Sequence, residues 1–103
     1  MQIQVSTANT IAGHEPLLAH VEEVLEHGLA RFKRHLTRVE AHFTGHPGEG
    51  DMRCTVEARI EGRHPIVAGH EAVTLDQSLS GAVSRLKRSL DTELDHMRDH
   101  RNH

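Results

Sequence analysis

Seven cations fall into two short groups: Arg31, Lys33, Arg34 and Arg38, then Arg85, Lys87 and Arg88. The first group runs through RFKRHLTR without a single acid. The second belongs to a stretch from Val67, VAGHEAVTLDQSLSGAVSRLKRSL, in which a strand gives way to an amphipathic helix. Arginine forks suit bidentate contact with phosphates held in a set geometry, so the chemistry on offer is recognition of an anion-rich partner. The plainer reading of the same residues is a solvated helix surface, with Arg31 to Arg34 complementing a helix C-terminus.

Eleven histidines are the oddest feature of the composition. His96 and His100 stand four apart on the predicted last helix turns, close enough to share a metal, with Asp95 and Asp99 beside them. His20 and His27 are seven apart on the predicted first helix. There is no H-E-x-x-H and no C-x-x-C, and neither His14-Glu15 nor His70-Glu71 is followed by a second histidine at the required step. No closed metal shell is expected, and the histidines read as solvated surface. Their charge matters more. With an ordinary pKa near ~6.5, protonating all of them would carry the formal charge from −3 to +8, so any binding to nucleic acid is expected to strengthen as pH falls.

Catalysis finds little support. Cys54 shares a strand face with Met52 and Val56 and is expected in the core, not as a nucleophile. Ser78, Ser80, Ser84 and Ser89 lie on a predicted helix with no histidine at a fixed catalytic spacing. Gly45, Gly48 and Gly50 lack the lysine and flanking elements of a P-loop. The chain is expected to be no enzyme, with no cofactor and no small-molecule substrate.

The composition sets further bounds. A chain of 103 residues makes one domain, 1–103, with 36% hydrophobic and 26% charged residues, as in folded soluble proteins. Apolar runs of only a few residues leave no membrane span, and MQIQVST has neither the charged nor the apolar region of a signal peptide. A lone cysteine cannot form an intrachain disulfide, which suits the cytoplasm. Phe32 and Phe43 are the only aromatics, too few for a base-stacking platform. Binding to nucleic acid would therefore have to use phosphates, sugars and shape.

The elements that must position these residues follow from periodicity. Gln2 to Thr7 alternates as a short strand, with Ile3 and Val5 on one side. Pro16 suits a first helical position, and Leu18, Val21, Leu25, Leu29 and Phe32 form a helical stripe. Gly28 sits inside that helix and marks a kink. Leu36 to Thr44 returns to period two, with Val39, Ala41 and Phe43 on one side. A loop over 45–50 leads to the cleanest strand, in which Met52, Cys54, Val56, Ala58 and Ile60 alternate with polar residues. A turn over 62–65 and a strand from Ile66 to Gly69 follow. Thr74 then serves as N-cap, with Gln77 completing a capping box. From there Leu75, Leu79, Ala82, Val83, Leu86, Leu90, Leu94 and Met97 define one helical face. Whether the segment after Met97 continues the helix or frays as a tail over 97–103 stays open from the sequence. The order is β-α-β-β-β-α: an α+β two-layer sandwich, a four-stranded sheet with both helices on one face. If the helices run parallel, the two cation groups meet at one level.

This order, and the residues that fill it, resemble the ribosome hibernation-promoting factor family, also called protein Y or sigma-54 modulation proteins, from Ile3 to about His96. The most specific part is IVAGHEAVTLDQSLSGAVSRLKRSL, where family members read as a strand ending in V-A-S, an acidic dipeptide, D-M-Y-x-A-I and K-L-x-R-Q-L. VEEVLEHGLARFKRHL resembles the family's V-x-x-x-L…K-L-x-K-x helix, with one extra residue near Gly28. Two departures stand out. Thr74, Leu75 and Asp76 replace D-M-Y, and Asp91, Glu93, Asp95 and Asp99 replace a lysine-rich helix end.

The resemblance implies a sandwich similar to a double-stranded-RNA-binding domain. It also implies a short-form translational regulator that binds the small ribosomal subunit and its 16S rRNA and blocks the mRNA and tRNA channel under stress or in stationary phase. Arg31, Lys33, Arg34, Arg38, Arg85, Lys87 and Arg88 are the expected RNA contacts. Two other readings stay open: a diverged relative whose acidic last helix binds a protein, and a histidine-rich metal binder using His96 and His100.

Overall fold

The computed structural model describes residues 1–7, 15–45 and 51–101; the predicted 45–50 loop lies mostly outside that range. Strand β1 (Gln2–Thr7) is followed by helix α1 (Glu15–Gly28), strands β2 (Leu36–Thr44), β3 (Met52–Ile60) and β4 (Ile66–Ala72), and helix α2 (Leu75–Arg101). The sheet order is β1-β2-β3-β4, with β1 parallel to β2 and the remaining pairs antiparallel. Both helices therefore run against β1 and parallel to each other.

The core lies between the sheet and the helices. Val39, Ala41 and Phe43 of β2 and every second residue of β3 from Met52 to Ile60 are buried against Val21 and Leu25 of α1 and Leu79, Ala82, Val83, Leu86 and Leu90 of α2. Leu36 is also buried although it stands three residues from Val39, an odd step for a strand. A bulge between Leu36 and Arg38 supplies the extra residue and returns both to one face. At the bulge, Thr37 Oγ1 donates to the Arg59 carbonyl at 3.2 Å.

Two boundaries differ from the sequence expectation. Helix α1 ends at Gly28, and a short 3-10 turn over Ala30–Phe32 follows, so Leu29 and Phe32 reach the core from outside the helix. A Cβ on Gly28 would lie 2.9 Å from Val83 Cγ1, so this glycine lets the helices meet. Strand β4 runs on to Ala72, because Met52 at the start of β3 still pairs with it there. Helix α2 continues through Met97 to Arg101. Its start is as expected, the Gln77 N–H donating to Thr74 Oγ1 at 3.1 Å. Among the described residues, no helix is long and apolar enough to cross a membrane.

Candidate functional site

Parallel helices set equivalent stretches of α1 and α2 side by side. Near their starts His20 Nε2 lies 2.8 Å from Asp76 Oδ1. Farther along, Gly28 meets Val83, and beyond the end of α1 Arg31 reaches across to Asp91. That last contact uses both ends of both groups: Arg31 Nη1 donates to Oδ1 at 2.6 Å and Nη2 to Oδ2 at 2.8 Å. The guanidinium carbon stands 4.1 Å from the centroid of the Phe32 ring, whose buried edge anchors the turn. Arg31's hydrogen bonds hold the Asp91 carboxyl below its ordinary pKa, with the charges of Arg31 and Lys87 adding to the effect. The same hydrogen bonds raise the Arg31 pKa.

The two expected cation groups thus meet, but only in part. Arg31 and Lys87 share the field of Asp91. Arg88 is exposed one residue on, about 100° around the helix from Lys87. Arg34 is exposed in the turn before β2, and Lys33 lines a pocket of about 310 Å³ with Met1, Glu26, His27 and Ala30. Arg85 points the other way, donating from Nη1 to the Gly69 carbonyl of edge strand β4 at 3.3 Å. Arg38 does not join the patch. Its neighbour Val39 faces the helices, so strand alternation turns Arg38 to the opposite, open face of the sheet. There it pairs with Glu40 and donates to Gln4 Oε1, while its buried Nε has no acceptor.

The open sheet face carries two further arginines to which the sequence reading gave no role. Arg59 is paired directly across from Arg38, and Glu57 across from Glu40, so cations and anions form adjacent rows. Arg59 Nη2 lies 3.7 Å from Glu57 Oε1. Arg53 pairs with Glu71 at 3.1 Å and lies over Gly69, where a Cβ would come within 2.9 Å of Nη2. Strand alternation was the signal that could have grouped Arg38, Arg53 and Arg59. Each of these arginines has a carboxylate beside it, so the face is balanced and not basic.

The acids near the end of α2 are likewise engaged. Asp91 holds Arg31, Glu93 Oε1 accepts from Arg63 Nη1 at 3.0 Å, and Asp95 lies 3.9 Å from Arg98. A run that looks acidic in sequence stitches α2 to the turn after α1 and to the β3–β4 turn. Among the described residues no group of three potential ligands is placed to hold a metal ion, and the side chains of Asp99 and His100 lie outside them. Cys54 is fully buried, and that burial pushes its thiol up to about 12. A neutral, enclosed thiol is a poor nucleophile.

Comparison with known proteins bears on what this arrangement serves. A family model described as sigma 54 modulation protein / S30EA ribosomal protein matches residues 3–98. No curated protein sequence matches the chain. Among solved structures, a ribosomal subunit interface protein from Coxiella burnetii superposes with a TM-score of 0.75 at 14% identity, over 92% of this chain and 99% of that one. The N-terminal domain of Thermus thermophilus Protein Y superposes with a TM-score of 0.66 at 18% identity, over 86% and 94%. At these identities the likeness is one of fold.

Proposed function

We propose, from the premise that the chain belongs to the sigma 54 modulation protein / S30EA ribosomal protein family, that it is a translational regulator of the ribosome-hibernation type. In this reading it binds the small ribosomal subunit through 16S rRNA in the cytoplasm. It blocks the path of mRNA and tRNA under stress or in stationary phase. Steric occlusion needs a rigid body and phosphate contacts, and neither a cofactor nor a catalytic group. The subunit-interface protein whose fold this chain shares supports a ribosomal partner.

One observation carries the choice of surface: the parallel helices bring Arg31 and Lys87, from separate cation runs, to a single carboxylate. Arg31, Lys33, Arg34, Lys87 and Arg88 are the proposed phosphate contacts, with Arg85 at the β4 edge and Arg38 on the open face standing apart. The internal pairing of Asp91, Glu93 and Asp95 weakens the rival reading of α2 as an acidic docking helix for a protein.

A competition experiment tests the mechanism. Purified small subunits are loaded with the protein, and retention of mRNA and initiator tRNA is then measured on filters. Loss of both ligands in step with protein occupancy is expected. Undiminished mRNA and tRNA binding on protein-loaded subunits would rule out occlusion.

A further inference from the structure

We infer that Asp91 is a built-in competitor for the phosphate that Arg31 would bind, and so sets how tightly this chain holds RNA. The inference rests on the proposed reading, in which Arg31 and Lys87 face RNA. Asp91 presents both carboxylate oxygens to the two terminal nitrogens of Arg31 at 2.6 and 2.8 Å. That fork-to-fork contact is the one a phosphate would make with the same guanidinium. Phe32, at 4.1 Å, covers one face of the group and limits how far it can swing to a second partner. Lys87 acts on the same carboxylate. Two cations therefore already share an anion supplied by the chain itself.

The arrangement can open. Arg31 and Asp91 side chains are 57% and 49% exposed, and ion pairs this open to water contribute little to folding. An incoming phosphate can displace Asp91 without disturbing the core. It must first break two charge-assisted hydrogen bonds, and the displaced carboxylate stays close enough to repel it. Asp95, one turn farther along the same helix, bears the same charge but lies against Arg98.

The test compares the wild-type chain with Asp91→Asn, Asp95→Asn, Arg31→Ala and the Asp91→Asn/Arg31→Ala double variant. Affinity is measured at fixed salt and pH for a plain RNA duplex and for purified small ribosomal subunits. Asp91→Asn should bind the duplex roughly three- to tenfold more tightly than wild type, and Asp95→Asn no more than about twofold. Without Arg31 the gain should shrink to the level of Asp95→Asn, which a general change of net charge would not produce. Equal gains from Asp91→Asn and Asp95→Asn, or a gain undiminished in the Arg31→Ala background, would overturn the inference. An Arg31-dependent gain on duplex RNA with no variant binding subunits would sink the ribosomal reading and leave the competitor standing. Failure of Asp91→Asn to bind duplex RNA would sink the competitor itself.

Discussion

The imidazole of His70 on β4 fills the space that a side chain at Gly81 on α2 would need: a Cβ there would lie 2.0 Å from the ring's Cδ2. Glycine costs a helix interior stability, so its place here has a packing reason. It lets α2 lie close against the edge strand. Gly28 does the same between the helices, opposite Val83. Gly28 thus sets the spacing of the two helices, and Gly81 that of α2 and the sheet edge.

Gly81→Ala should therefore destabilise the fold. Helix propensity alone would favour alanine by about 1 kcal/mol, while forced overpacking costs about 1–3 kcal/mol. Urea unfolding should show a net loss, and adding His70→Ala should recover most of it. A stability gain from Gly81→Ala alone would mean that the His70 ring moves aside freely.

Cys54 should resist modification in the folded state. An unfolded thiol titrates near ~8.5, whereas burial pushes this one up to about 12. The folded-state pKa is the higher, so its stabilising contribution is complete below about 8.5 and is lost as pH rises toward 12. A thiol-reactive dye at pH 8 should label the chain only as fast as it opens, and faster in urea. Rapid labelling in native buffer would contradict the buried placement.

Asp91 should leave a mark on the acid side of the stability curve. Hydrogen bonds from Arg31 lower its folded-state pKa, so its contribution is present above the unfolded value of about 3.9 and is lost as pH falls through the lower folded value. Asp91→Asn should flatten the decline of thermal stability below about pH 4 relative to wild type. Parallel acid limbs in the two proteins would mean that the pair adds nothing measurable to folding.

Much of this architecture was legible because it is local. The alternation of β3, the Thr74 cap and the apolar stripe of α2 each follow from neighbouring residues. The end of α1 was not legible, because Leu29 and Phe32 keep facing the core after the backbone leaves the helix. Grouping Arg38 with Arg31 followed the linear run of charge and ignored the strand beneath it, where Val39 in the core places Arg38 outside. The Arg31–Asp91 pair spans 60 residues and depends on how two helices align, which no local pattern records. The same holds for His70 and Gly81.

Histidine protonation should strengthen RNA binding. His20, His27, His35, His42, His64 and His96 are exposed, and His27 and His35 flank the run from Arg31 to Arg34. His20 faces Asp76, and His27 shares its pocket with Glu26, Lys33 and Met1. Lowering pH from about 7.5 to about 6 crosses the ordinary histidine range. Affinity for small subunits at fixed salt should rise over that interval; an unchanged affinity would remove the histidines from the binding account.

The most direct measurement is co-sedimentation with purified small ribosomal subunits across a salt series, for wild type and for Lys87→Glu/Arg88→Glu, the first position half-buried on α2 and the second exposed. Wild-type protein should pellet with subunits at low salt and release progressively as salt rises, the signature of phosphate contacts. The double variant should stay in the supernatant while unfolding at a temperature close to that of wild type. Wild-type protein that never pellets, or pelleting that ignores both salt and the charge reversal, would contradict binding through this surface.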